Sequence, residues 1–202
     1  AVEPRIQERG GTLRIEAKER RALFSRGGSE GRVDIRTGQR TRIQVISGSG
    51  DLDVRRFQEG EVDLRTASGD IEGRALYGAL AIRTASGDIE LERIGGEVEV
   101  QSSSGEIRLE NGEGELILGS TSGDVDLSGA TGTLRLSSTS GDLEGDRLTL
   151  NGASSFEAIS GDVEIDIEGD PESFNLALES TSGSIRLPGV EVGNRYIRDG
   201  GG

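Results

Sequence analysis

Carboxylates and hydroxyls are the side chains in this sequence that could do chemistry, and both recur at fixed intervals. The tripeptide Ser-Gly-Asp, once Ser-Gly-Glu and once Ser-Gly-Ser, puts Asp51, Asp70, Asp88, Glu106, Asp124, Asp142, Asp162 and Ser184 in equivalent positions. A row of carboxylates along one edge could hold calcium, with Asp70, Asp88, Asp124, Asp142 and Asp162 as ligands. It would need a second row of carboxylates or carbonyls beside it. The structural alternative gives Gly69, Gly87, Gly105, Gly123, Gly141, Gly161 and Gly183 the positive φ of a tight corner, where each Asp accepts a backbone N–H. Glu106 and Ser184 interrupt the acidic row with no compensating change. That favours the structural reading, and no metal or other cofactor is assigned.

Ahead of each corner stands a pair of hydroxyls: Thr66/Ser68, Thr84/Ser86, Ser102/Ser104, Ser120/Ser122, Ser138/Ser140 and Ser180/Ser182. A nucleophilic serine needs a base. The chain has no His and no Cys, and its one lysine, Lys18, lies outside the repeat. The hydroxyls are therefore expected to point into the corner and to hydrogen-bond from one turn to the next. A carboxylate pair for glycoside cleavage is the remaining enzymatic option. Glu90, Glu92, Glu97 and Glu99, however, fall at outward positions of alternating strands, where a solvated face is the default. The aromatic residues Phe24, Phe57, Tyr77, Phe156, Phe174 and Tyr196 form no column on which a sugar could stack. No catalytic residue is assigned.

The elements that must position these residues follow from the spacing. The corner glycines at 50, 69, 87, 105, 123, 141, 161 and 183 recur at nearly constant intervals, four of them identical in succession. Between corners, aliphatic residues alternate with charged ones and repeat in columns. Ile71, Ile89, Ile107, Val125 and Leu143 form one, Leu80, Val98, Leu116 and Leu134 a second, and Ile82, Val100, Leu118 and Leu136 a third. Two short strands cannot bury an apolar face alone, but stacked copies can. The predicted fold is all-β: a single-stranded β-solenoid, a right-handed parallel β-helix of about 8–9 turns of about 18 residues. This reconciles a folded chain with only 32% hydrophobic and 3% aromatic residues, a composition that on its own suggests disorder. The aliphatic spacing does not fit a hexapeptide left-handed helix, and the Gly-Gly-x-Gly-x-Asp tracts of calcium-binding repeats are missing.

Residues 1–30 are expected to be a strand-rich N-terminal cap containing Thr12–Ala17 and Arg21–Ser25. Residues 31–190 hold the solenoid, opening with Val33/Ile35 and Ile43/Val45, and residues 191–202 form a tail or the start of a further turn. Extra residues at Asn151–Ser154 and at Gly169–Ser173 should bulge as loops. The last turn should leave an open strand edge near Val190 and Val192, so either the chain continues in the native protein or copies associate end to end. A net charge of −14 argues against a nucleic-acid partner. No apolar run is long enough to cross a membrane as a helix, so any membrane tie is expected in a segment beyond this chain.

The motif Thr-x-Ser-Gly-Asp-Ile-x-Leu at Thr84–Leu91, in part at Thr66–Ile71, recurs with Val-x-Val strands over residues 31–190 and resembles the bacterial adhesin domain family of unknown function. The opening Arg5–Ala17, with Gly10-Gly11-Thr-Leu-Arg-Ile, is similar to the strand pair with which such domains begin. The resemblance implies a non-enzymatic, adhesin-like cell-envelope module, a rigid acidic rod with a protein or glycan ligand at the cell surface. It implies a location in the bacterial envelope or outside the cell, with the cytoplasm as the alternative. It supplies no catalytic residues. A self-assembling polymer scaffold and a carbohydrate-active β-helix are the competing functional readings.

Overall fold

The computed structural model describes residues 4–9, 12–17, 41–169, 174–188 and 195–198. Arg21–Ser25, Val33/Ile35, Val190 and Val192, and most of Gly169–Ser173, lie outside the described residues. Among the described residues every regular element is a strand, sixteen in all, forming a parallel β-solenoid of about 8 turns. The strands β1 (Pro4–Arg9), β2 (Thr12–Ala17), β3 (Thr41–Ser47), β4 (Leu52–Phe57) and β5 (Gly60–Ser68) build the first turns. The strands β6 (Ile71–Ser86), β7 (Ile89–Ser104) and β8 (Ile107–Ser120) are long, and each bends around almost a whole turn. Shorter strands follow: β9 (Val125–Ser128), β10 (Thr131–Ser138), β11 (Leu143–Leu150), β12 (Ala153–Ala158), β13 (Val163–Ile167), β14 (Asn175–Ser180), β15 (Ile185–Arg186) and β16 (Arg195–Arg198).

Each strand of the central turns pairs in parallel with its counterpart one repeat away. Ile71 meets Ile89, which meets Ile107; Leu80 meets Val98, which meets Leu116; Ile82 meets Val100, which meets Leu118. The three aliphatic columns read from the sequence are therefore the register of the sheet, and their members are 3% exposed or less. A fourth inward column, Phe57, Leu76 and Ile94, is buried beside them and continues into Gly112. At Gly112 the core narrows. A Cβ there would meet the methyls of Leu116 at 2.6 Å and Leu109 at 2.8 Å, so its neighbours have already filled the space.

Strict alternation would put Leu91 and Ile94 on opposite faces, yet both are buried. The reason is a backbone corner that the residue types do not advertise. Arg56, Ala75, Arg93, Asn111, Gly129 and Arg147 occupy one column and have φ of 62, 55, 57, 59, 61 and 52°. This left-handed residue reverses the facing of the chain once per turn and lets both side chains reach the core. The irregular late spacings also have a place in the ladder. Gly132 pairs with Leu150 and Arg135 with Ser155, so the extra residues sit between Leu150 and Ser155. A further register shift separates Gly145 from Leu148.

The two ends of the main sheet are alike. The β1 strand runs antiparallel to β2, and β16 turns back antiparallel along β14, with Tyr196 opposite Leu178. The β14 edge is thus paired by residues 195–198 running antiparallel to it, while the edge expected near Val190 and Val192 lies outside the described residues.

The left-handed column makes a direct prediction. A residue with a Cβ in that conformation costs about 1–2 kcal/mol, more than glycine's extra freedom in the unfolded chain. Ala75→Gly should therefore raise stability in chemical denaturation by about 0.5–1 kcal/mol, and Ala75→Val should lower it by at least about 1 kcal/mol.

Candidate functional site

The Ser-Gly-Asp corner holds the most regular polar arrangement in the molecule. The Oδ1 of each aspartate accepts the backbone N–H of the equivalent residue one turn on. Asp51 accepts from Asp70 at 3.1 Å, Asp70 from Asp88 at 3.0 Å and Asp88 from Glu106 at 2.9 Å. Asp124 accepts from Asp142 and Asp142 from Asp162, both at 2.8 Å, and Asp162 from Ser184 at 2.7 Å. The acidic row stitches the turns together with a rung at every step but the one from Glu106 to Asp124, each to a charged acceptor. Among the described residues no group of three or more His, Cys, Asp or Glu is arranged to hold a metal ion.

Glu106 shows why the row is aspartate. One methylene longer, it makes no rung to Asp124. Its carboxylate instead pairs with Arg108 and shares a hydrogen bond with Asp126. That shared bond, then partial burial, pushes its pKa above the ordinary glutamate value of 4.5. Glu144 is also pushed up, first by the charge of Asp126 and then by burial and by Glu164, Asp142 and Asp124. Asp162 is held below the ordinary aspartate value, mainly by the Ser184 N–H.

The corner glycines need a different explanation from the expected one. Positive φ occurs in this column only at Gly87 (153°) and Gly105 (152°); Gly69, Gly123, Gly141, Gly161 and Gly183 do without it. What excludes a side chain is the turn below. A Cβ on Gly69 would sit 2.5 Å from the carbonyl oxygen of Gly50, and on each of the other six it would lie still closer to the preceding corner glycine. Glycine stacks on glycine because the backbones are in contact. A second column of the same kind has no flanking motif to mark it. Gly78, Gly96, Gly114 and Gly132 would each drive a Cβ into the carbonyl of the glycine one turn before. These do have positive φ, between 114 and 144°. Their even recurrence at positions 78, 96, 114 and 132 is the signal the sequence offers.

The hydroxyl pairs divide. The first member is buried as expected, with Thr66, Thr84, Ser102, Ser120, Ser138 and Ser180 all at 8% exposure or less. The second member, Ser68 through Ser182, faces solvent. The turn-to-turn hydroxyl ladder is not formed. Ser138 and Ser180 donate to the carbonyls of Gly123 and Gly161 at 3.2 and 2.9 Å. The oxygens of Thr66, Thr84, Ser102 and Ser120 have no hydrogen-bond partner among the described residues.

Outside this buried column runs a shallow groove of about 540 Å³. It is lined by Arg65, Arg83 and Gln101 on one side, passing to Gly119 and Ser137, and by Ala85, Ser103 and Thr121 on the other. Arg83 is held by Glu99 at 2.8 Å and Arg65 by Asp63 at 2.9 Å. Of the outward glutamates weighed as an acid–base pair, Glu99 is tied to Arg83 and Gln101, while Glu90 and Glu92 face Arg108 and Arg74.

Gly123 has ordinary φ, so Gly123→Ala isolates close approach from backbone conformation; it should cost about 1–3 kcal/mol of stability in chemical denaturation. Gly48→Ala, where a Cβ meets nothing within 4 Å, should stay within about 0.5 kcal/mol. The pH dependence has two signs. Raised acids contribute stability that is present below their unfolded pKa and lost as pH rises through the folded value; a lowered acid contributes stability lost as pH falls through its folded value. Protonation of Glu106, which completes its hydrogen bond with Asp126, and relief of repulsion at Glu144 should therefore raise the melting temperature as pH is brought down from neutral toward 4.5. Protonation of Asp162 should then lower the melting temperature as pH falls below 3.8. Glu144→Gln should flatten the first limb in a pH series of thermal melts and leave the second.

No curated protein and no solved structure matches the chain. The Toastrack DUF4097 family profile matches residues 2–196. Nearly the whole sequence falls within that match, and the chain belongs to the Toastrack DUF4097 family.

Proposed function

We propose that the protein is a non-enzymatic interaction module of the bacterial cell envelope, an adhesin-like acidic rod that presents a repeating outer surface to a ligand. The observation that carries this reading is the groove from Arg65 to Ser137. It crosses five consecutive turns with lining residues that vary along it, from Arg65 and Arg83 through Gln101 and Gly119 to Ser137, while the inward columns beneath it stay aliphatic or hydroxylic. The inward residues are constrained by packing, so variation outside is where recognition can be encoded.

The corner chemistry supports the same reading. Its carboxylates accept N–H groups of the next turn and two of its buried hydroxyls donate to glycine carbonyls, which gives them structural tasks. The groove floor is backbone already paired in the sheet, and its walls are small hydroxyl side chains, two arginines and an amide. Such a surface suits an extended, polar, uncharged or weakly anionic polymer, and a glycan strand of the envelope fits that description. At about 4.8 Å per turn, the groove spans about 20 Å.

Soluble cell-wall glycan fragments titrated against the labelled protein should shift amide signals of Gln101, Ser103, Gly119 and Thr121 together. Ser103→Trp, which fills the groove from an exposed position, should abolish those shifts and leave the melting temperature within about 2 °C. Shifts that survive Ser103→Trp would remove the groove from the proposal.

A further inference from the structure

The dipeptide Asn-Gly occurs twice in the chain, at Asn111-Gly112 and Asn151-Gly152. In such a pair the glycine nitrogen can attack the asparagine carboxamide, because glycine has no side chain to oppose the backbone folding back. Both asparagines are exposed, so exposure does not separate them. The backbone does. Asn111 has a φ of 59° in the left-handed column, and its carboxamide oxygen lies against the next turn, 3.0 Å from the place a Cβ on Gly129 would take. Gly112 is buried in β8 and paired with Ile94. Its nitrogen reaches the carboxamide only if β8 leaves the ladder.

Asn151 and Gly152 are the whole connection between β11 and β12, where the extra residues enter the register, and both are exposed. The Asn151 N–H is held by the Gly132 carbonyl at 2.9 Å. Beyond that point the hold is slight. The Thr133 hydroxyl donates to the Asn151 carbonyl at 3.3 Å, and the Asn175 N–H donates to the Gly152 carbonyl at 3.3 Å. The Gly152 N–H and the Asn151 carboxamide have no hydrogen-bond partner among the described residues. A Cβ on Gly152 would meet only the Thr133 hydroxyl, so the backbone has room to turn.

We infer that Asn151 is a modification site, at which the chain loses a side-chain amide without an enzyme. The Gly152 nitrogen gives its proton to solvent and bonds to Cγ of Asn151. The Cγ–Nδ2 bond breaks, and Nδ2 takes a proton from water and leaves as ammonia. The ring so formed is a succinimide. Water then opens it, its hydroxyl going to a ring carbonyl and its proton to the Gly152 nitrogen. Breaking the bond to Cγ gives aspartate; breaking the bond to the α-carbonyl gives isoaspartate, with the chain running through Cγ. Nothing is oxidised or reduced, and water is the one co-reactant. Either product adds a negative charge. Isoaspartate also adds a backbone carbon where the ladder already absorbs extra residues, so β11 and β12 keep their register. The inference is independent of the groove and its ligand.

The test incubates the folded 202-residue protein at mildly alkaline pH and maps its peptides by mass spectrometry. Isoaspartate is read by methyl transfer from S-adenosylmethionine with a purified isoaspartate methyltransferase. Asn151 should convert at least about 100-fold faster than Asn111, which must wait for a core strand to open. In denaturant the two rates should come within about threefold of each other. Thr133→Val, which removes one of the two weak restraints, should speed conversion of Asn151 about two- to fivefold. Asn151→Gln, whose ring closure is slower, should abolish the mass change in that peptide. The converted protein should keep its strand signal in circular dichroism and melt within about 2 °C of the parent. Survival of Asn151 as long as Asn111 in the folded protein, a 100-fold gap that persists in denaturant, or loss of the strand signal on conversion would each overturn the inference.

Discussion

The spacing of backbone hydrogen bonds between parallel strands, about 4.8 Å, is the constraint on which the rest of this molecule depends. Along the straight segments that spacing leaves room for side chains, because they point in or out of the wall. At two corners per turn the chain passes directly over itself. There the carbonyl of one glycine occupies the place a Cβ of the next would take. The repeat length, the recurring Ser-Gly-Asp and the second glycine column are consequences of keeping that contact in step over successive turns. Aspartate follows for the same reason. Its short side chain reaches the N–H one turn away, whereas Glu106 in the same place overshoots and pairs with Arg108.

A thin core built this way can be assembled from few apolar residues. Each turn buries its aliphatic side chains in continuous columns, so the low hydrophobic fraction of the sequence falls mainly on inward positions. The outer surface is left to charge. Isolated surface ion pairs such as Arg135 with Glu115 or Arg186 with Glu164 are worth little individually. Acidic residues accumulate from turn to turn with partial compensation, and the raised pKa of Glu144, set first by the charge of Asp126, registers the resulting repulsion. Inward residues thus secure the fold and outward residues are free to define partners. This division underlies the proposed role as a recognition rod.

Much of the fold is legible in the sequence because identical residues recur at identical spacing. The columns through Ile89, Val98 and Val100 can be aligned by counting, and the counted alignment is the ladder register. The acceptor role of the Asp row is legible too. What cannot be read is anything governed by backbone conformation without a residue signature. The left-handed corner is filled by Arg56, Ala75, Arg93, Asn111, Gly129 and Arg147, types of which only Asn111 and Gly129 favour it. For the corner glycines, local φ and close approach both select the same residue, and only the backbone trace separates the two causes. Strand parity extended into the corner puts Ser86 and Ser104 inward, but alternation ends there and both face solvent. The groove leaves no mark on the repeat because its walls, from Arg65 to Ser137, vary from turn to turn.

The central claim is that equivalent glycines of successive turns lie in backbone contact. Nuclear Overhauser spectra of the labelled protein test it most directly. The account predicts cross-peaks between the α-protons and amides of Gly87 and Gly105, Gly105 and Gly123, and Gly123 and Gly141, accompanied by methyl contacts from Ile89 to Ile107 and from Ile107 to Val125. A spectrum in which these glycines lack mutual cross-peaks, and the strands around them show antiparallel hairpin contacts instead, would contradict it.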